Sequence, residues 1–213
     1  ALEDPGAAPP EEVYMLTTSP KAAPDDAAIV ELGFEHGAPA TMNGEALSPV
    51  DLVEALNALG GTHGVGRCDI TENRLVGMKS RGIYETPGGT ILYEALRSLR
   101  SITIERDTMR QAEKLAIDYA DLVYTGRWFH PLRVALDAFF NESAKPVTGI
   151  ARVELYKGTA TTIGVESENS LYSEELATFG AGGSYAQKDS EGFVKLYGLP
   201  GKVAAMVAAG ASS

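Results

Sequence analysis

The octapeptide AIVELGFE, residues 28 to 35, limits the possible folds of this chain more than any other stretch. Val30, Leu32 and Phe34 fall on one side and Glu31 and Glu35 on the other, the period-two pattern of a strand with one face in a core. His36-Gly37 supplies a turn, a short return strand follows, and Asn43-Gly44 supplies a second turn, so the segment reads as a hairpin. Far along the chain, VTGIARVELYKG and TATTIGVES alternate in the same way around Lys157-Gly158, a second hairpin. Between the two lie helical patterns. Strands, then helices, then strands indicate an α+β fold: an antiparallel sheet from N- and C-terminal hairpins, packed with long central helices.

The helical segments carry their own punctuation. Ser48 precedes Pro49 and Asp51, an N-cap followed by proline at the first helical position and an acid in the first turn. Leu52, Val53, Leu56 and Leu59 share one side of that helix, and Gly60-Gly61 is expected to stop it. Thr86-Pro87 repeats the cap-then-proline signal, predicting a helix from Pro87 to about Leu99. A second long helix is expected from Arg106 to about Thr125, with Leu115, Tyr119, Leu122 and Val123 at helical spacing and Gly126 at its end. A third, PLRVALDAFFNESA, presents Leu132, Leu136, Phe139 and Phe140 before Pro146 halts it. These stripes read as core. LYSEELATF is a short helix or turn, and DSEGFVKLYGLP starts another helix with Asp189 as cap and Pro200-Gly201 as its end. The tail beyond it has Val203, Met206 and Val207 at helical spacing, an amphipathic end that must dock or fray.

At 213 residues the chain is long enough for one domain with a substantial core, folding at this size removing roughly 70% of the unfolded surface from water. Pro5, Pro9, Pro10, Pro20 and Pro24 make residues 1–27 a proline-rich, extended lead rather than a packed element. Residues 28–200 form the domain proper and 201–213 a tail. The lone cysteine, Cys68, closes no intrachain disulfide, and no His and Cys cluster has zinc spacing, which fits a reducing, cytoplasmic setting. A formal charge of -11 argues against nucleic acid as a partner. No apolar run is long enough to span a membrane, and the N-terminal residues show no signal peptide. The chain begins without an initiator Met, which fits processing or a piece of a longer protein.

Polar chemistry concentrates in GVGRCDITENRLVGMKSRGIYETPGG. The close glycines match neither a Walker loop nor GxGxxG, so turns account for them better than phosphate binding. His63 has no Cys or Ser nearby to form a triad and reads as a loop or surface histidine. Glu72 sits where two strand-like runs flank a polar turn. There a carboxylate can face a cleft and accept from an ammonium or amide ligand, or stand as a solvated turn acid. Tyr84 offers a phenol just before the helix starting at Pro87, and Lys79 and Arg81 could bring positive charge to the same place.

The run from His63 to Tyr93, HGVGRCDITENRLVGMKSRGIYETPGGTILY, resembles the signature of argininosuccinate synthase. So do ADLVYTGRWFHPLR, SLYSEELATF, YAQKDSEGFVKLYGLP and the opening LEDP, so that the resemblance covers residues 2 to 200. It departs at Cys68, where an aliphatic residue is usual, at Gly6, where tryptophan often follows LEDP, and at YAQKD, commonly YDQKD. Beyond Pro200 no match is evident.

The resemblance implies a ligase that joins L-citrulline to L-aspartate in arginine biosynthesis, consuming ATP, with Mg2+ expected, and releasing AMP and diphosphate. The ureido oxygen attacks the α-phosphate, and the aspartate amine then displaces AMP. The family's SGGxDTS phosphate loop does not occur in these residues, so the chain resembles the C-terminal half, which completes the citrulline pocket and builds the oligomer, a homotetramer. The family's citrulline contacts fall on Glu72 and Tyr84; the resemblance brings no catalytic residue, no ATP-binding residue and no metal ligand to this half. A non-catalytic amino-acid-binding or assembly module is the alternative, and a free-standing amino-acid sensor a third.

Overall fold

The computed structural model describes residues 2–177, 186 and 188–210. They divide into two compact units, Ala1–Leu171 and Tyr172–Ser213. The first unit is α+β, as the pattern of strands and helices required. Strand β1 (Ala28–Glu35) pairs antiparallel with β2 (Ala38–Met42), which pairs with the short β3 (Glu45–Ala46). The late hairpin, β6 (Gly149–Tyr156) and β7 (Thr159–Glu166), joins the other edge of β1, giving the sheet order β3-β2-β1-β6-β7. Each two-residue turn places both residues at positive φ: His36-Gly37, Asn43-Gly44 and Lys157-Gly158. That geometry matches the twist of the flanking strands.

Helices α1 (Pro49–Thr62) and α2 (Pro87–Thr103) pack against each other and contact the sheet. Val30, Leu32 and Phe34 from β1, with Ala151, Val153 and Leu155 from β6, meet Leu52 and Leu56 of α1 and Ile91, Ala95 and Leu99 of α2 in one buried cluster. Burying a side chain such as Leu or Ile completely contributes roughly 1.5–3 kcal/mol, so this layer dominates the stability of the unit. Helices α3 (Arg106–Tyr124) and α4 (Pro131–Ala144) pack on each other. Their contact includes the Tyr119 hydroxyl donating to Asp137 at 2.8 Å and an edge-on Tyr119–Phe140 pair.

Several expectations change. Gly60 and Gly61 do not stop α1; they lie buried in its last turn, where a Cβ on Gly60 would press Ile91 and Pro87 and one on Gly61 would sit 2.3 Å from the Leu16 carbonyl oxygen. Close packing selected those glycines, and Gly64, at φ 72°, follows the helix end instead. Thr86 holds the position before α2 but makes no capping bond; Asn57 of α1 accepts from Gly88 N–H at 2.9 Å in its place. Val53, Val123 and Leu132 face outward, so the apolar stripes are narrower than the spacing implied. His63 is buried, its backbone carbonyl accepting from Gly158. The lead is neither extended throughout nor unpacked: Glu11–Val13 form a single 3-10 turn, further turns interrupt the chain, and Thr17 and Ala23 are both buried.

In the second unit, α5 (Glu174–Ala177), α6 (Asp189–Tyr197) and α7 (Leu199–Ala208) carry no buried residue. Asp189 is the first residue of α6 rather than its cap. Pro200 and Gly201 do not end a helix: proline suits a first turn, where its missing N–H costs nothing, and both residues lie inside α7. Thr178 and Phe179 of LYSEELATF, Tyr185 and Gln187 of the YAQKD segment and the last three residues fall outside the described residues. No helix among the described residues is long and apolar enough to cross a membrane.

Candidate amino-acid site on a two-stranded ribbon

The polar stretch folds as a separate ribbon, β4 (Arg67–Asn73) antiparallel to β5 (Lys79–Glu85), joined through a turn in which Arg74 N–H bonds the Met78 carbonyl. Side chains of a strand alternate between faces, and directly opposed residues share one. The register Arg67↔Glu85, Cys68↔Tyr84, Ile70↔Gly82 and Glu72↔Ser80 therefore sorts the polar residues into two sets.

One face grips the lead. Arg67 donates through Nε to Thr17 Oγ1 at 2.7 Å, through Nη2 to the Thr17 carbonyl at 2.7 Å, and pairs with Glu11 at 2.6 Å, while its guanidinium lies over the Tyr14 ring. Opposite it, Glu85 accepts from the backbone N–H groups of Met15, Leu16 and Thr17 and from the Thr17 hydroxyl. Burial pushes the Glu85 carboxyl up, but the Thr17 hydroxyl and the three N–H donors outweigh it and hold the group below the usual carboxylate range. Arg81 also belongs to this face. Its guanidinium forks onto Asp69, with Nε to Oδ1 at 2.8 Å and Nη2 to Oδ2 at 2.6 Å, and donates to the Asp4 carbonyl at 2.6 Å.

The other face presents Glu72 and Tyr84. Although they belong to different rungs, the Tyr84 hydroxyl donates to Glu72 Oε1 at 2.5 Å. That bond, then desolvation and the nearby carboxylate charge, push the Tyr84 phenol up. Among the described residues no hydrogen-bond donor is placed on Glu72 Oε2, so the pair can accept from a cationic or amide group while Tyr84 fixes the carboxylate. Tyr84 is 42% exposed, and free Cys68 is exposed beside it. At the ribbon's tip, the Tyr124 hydroxyl of α3 donates to the Asn73 carbonyl at 3.2 Å.

The structure thus brings Glu72 and Tyr84 together and takes Arg81 away: the Asp69 fork holds it on the face that grips the lead, and Lys79, by the same alternation, shares that face. Sequence reading missed the roles of Arg67 and Glu85 as the lead's anchors. Their direct opposition at the base of a hairpin was the available signal. Among the described residues no group of three or more His, Cys, Asp and Glu is placed to hold a metal ion.

The family model described as arginosuccinate synthase C-terminal domain matches residues 1–204. An argininosuccinate synthase of Desulfitobacterium hafniense (strain DSM 10664 / DCB-2) is 56% identical over 206 residues, 97% of this chain and 51% of that protein. The enzyme of that name from Carboxydothermus hydrogenoformans is 55% identical over 96% of this chain and 51% of its own length. The chloroplastic argininosuccinate synthase of Arabidopsis thaliana is 48% identical over 97% of this chain and 42% of its own. The chain spans about half the length of the curated relatives it matches.

Proposed function

The chain belongs to the argininosuccinate synthase family, as its C-terminal domain, and from that membership we propose that it serves an ATP-dependent ligase joining L-citrulline to L-aspartate, with release of AMP and diphosphate. One observation carries its share of the work: Glu72 and Tyr84 hydrogen-bonded to each other on the free face of the ribbon. A carboxylate already oriented by a phenol accepts from the ammonium or ureido N–H groups of citrulline without first paying to order itself. Oriented there, the ureido oxygen can be presented to the α-phosphate, and activation as an adenylate turns a poor leaving oxygen into a good one. The ATP phosphates, their Mg2+ and the aspartate are assigned to the remaining half of the enzyme. We further assign the enzyme to the cytoplasm and to a homotetramer, without nucleic-acid or membrane partners.

The test is reconstitution. This chain is expected to release no diphosphate from ATP, citrulline and aspartate by itself, and to do so when combined with the nucleotide-binding half of a relative. Release by the chain alone would overturn the division of labour. Citrulline binding without release in the combined enzyme would favour a non-catalytic amino-acid-binding module.

A further inference from the structure

We propose that Gly82 is a positioning residue for the Glu72–Tyr84 pair: the missing side chain at Gly82 lets the Tyr84 ring lie along the ribbon and reach Glu72. The proposal rests on the citrulline reading only for its catalytic consequence.

The register makes the need plain. Tyr84 stands opposite Cys68, and Glu72 is four residues further along β4, roughly 13 Å at a strand's rise per residue. Between them on the same face lies the rung Ile70↔Gly82. A tyrosine standing upright from its strand, the usual posture, would point into solvent and miss Glu72. Instead the ring lies down over Gly82. A Cβ on that glycine would sit 2.3 Å from Tyr84 Cε2 and 2.6 Å from both Cζ and the phenol oxygen, distances no Cβ contact sustains. Gly82 is not among the residues at positive φ, so alanine could adopt its backbone conformation. The demand is therefore for space, not for backbone freedom. A glycine inside a strand otherwise weakens it, which makes a purely structural reason for this one hard to find.

The experiment labels the tyrosines of this chain with 13Cζ and follows the Tyr84 resonance, assigned by its loss in Tyr84→Phe. In the parent chain Glu72→Gln is expected to move that resonance. With Gly82→Ala already present, the resonance is expected at a new position and insensitive to Glu72→Gln. An unchanged resonance with an unchanged response would overturn the proposal. A melting comparison guards against loss of folding. Gly82→Ala is expected to lower the melting temperature of the parent, and to leave unchanged or raise that of a Tyr84→Ala chain, because alanine loses less entropy in a strand than glycine. An equal drop in both backgrounds would show that the glycine serves the backbone, and the proposal would fall. In the complete enzyme, Gly82→Ala should raise the citrulline KM by the same factor as Tyr84→Phe, and the two together no further. If Tyr84→Phe itself leaves that KM unchanged, the citrulline reading fails while the NMR response still upholds the positioning.

Discussion

Tyr84 can ionise only by giving up the proton it donates to a carboxylate, and it would then face that carboxylate as a second anion. Its phenol should therefore titrate above the ordinary value of 10.0 and return toward it in Glu72→Gln. Because the folded-state value is the higher one, the bond contributes fully to stability below the unfolded value and is lost as pH climbs through the folded one. The 13Cζ signal of Tyr84 across alkaline pH measures the shift, and an unshifted titration would mean that the bond does not persist in solution. For catalysis, Glu72→Gln in the complete enzyme should raise the citrulline KM ~10- to 100-fold and leave the ATP KM nearly unchanged, as expected for loss of a charged acceptor. Equal losses for both substrates would argue for a structural role. Glu72 and Tyr84 could be picked out as residues from the run they occupy. Their contact could not, because it depends on register and on a ring lying across Gly82, neither of which is written in residue types.

The ribbon and the lead behave as one element, since Arg67 and Glu85, opposed across two strands, share Thr17 between them. Glu85 has a folded-state value below the ordinary 4.5, so its grip is complete above that value and is lost as pH falls through the folded one. The amide resonances of Met15, Leu16 and Thr17 should accordingly move toward unbonded positions in acid, and lie near them at every pH in Glu85→Ala. Movement shared equally by the amides of α1 would instead report global unfolding. Gly61 supplies a second test. Alanine would gain up to ~1 kcal/mol of helix propensity, yet its Cβ would meet the Leu16 carbonyl oxygen at 2.3 Å, an atom held in the backbone. Overpacking of that kind costs roughly 1–3 kcal/mol, so Gly61→Ala should lower the melting temperature, and a rise would show that the lead yields easily. The strand pairs were legible because alternation and two-residue turns are local signals. The glycines of α1 were misread because a close approach by a distant segment looks, in sequence, like a helix stop. Thr86 does stand at the cap position of α2, but the acceptor that serves the first turn could not be read from the sequence for a related reason: Asn57 is 31 residues from the Gly88 N–H it accepts from.

On the scale of the whole molecule, apolar surface without a partner is the feature to explain. Among the described residues of the second unit, Phe193, Val194, Leu196 and Tyr197 of α6 and Val203, Met206 and Val207 of α7 are all exposed, with the Phe193 and Tyr197 rings stacked on each other. Short helices hold their structure in water mainly by packing an apolar face, and these have no buried residue of their own. In the first unit Tyr124, Trp128 and Phe129 at the end of α3 and the turn beyond it are exposed as well, Phe129 at 93%. Contiguous apolar surface beyond a few hundred Å² usually marks an interface, and identical subunits close such interfaces symmetrically. The proposed homotetramer of the complete enzyme would cover these faces. Deleting residues 201–213 removes most of α7 and neither member of the Glu72–Tyr84 pair, so assembly should weaken before citrulline binding changes. Sedimentation of the shortened enzyme at low micromolar concentration should show smaller species, with the citrulline KM measured at high protein concentration held near its original value. A tetramer as tight as the parent's would mean that this apolar face takes no part in assembly, and a monomeric parent would remove the interface argument altogether.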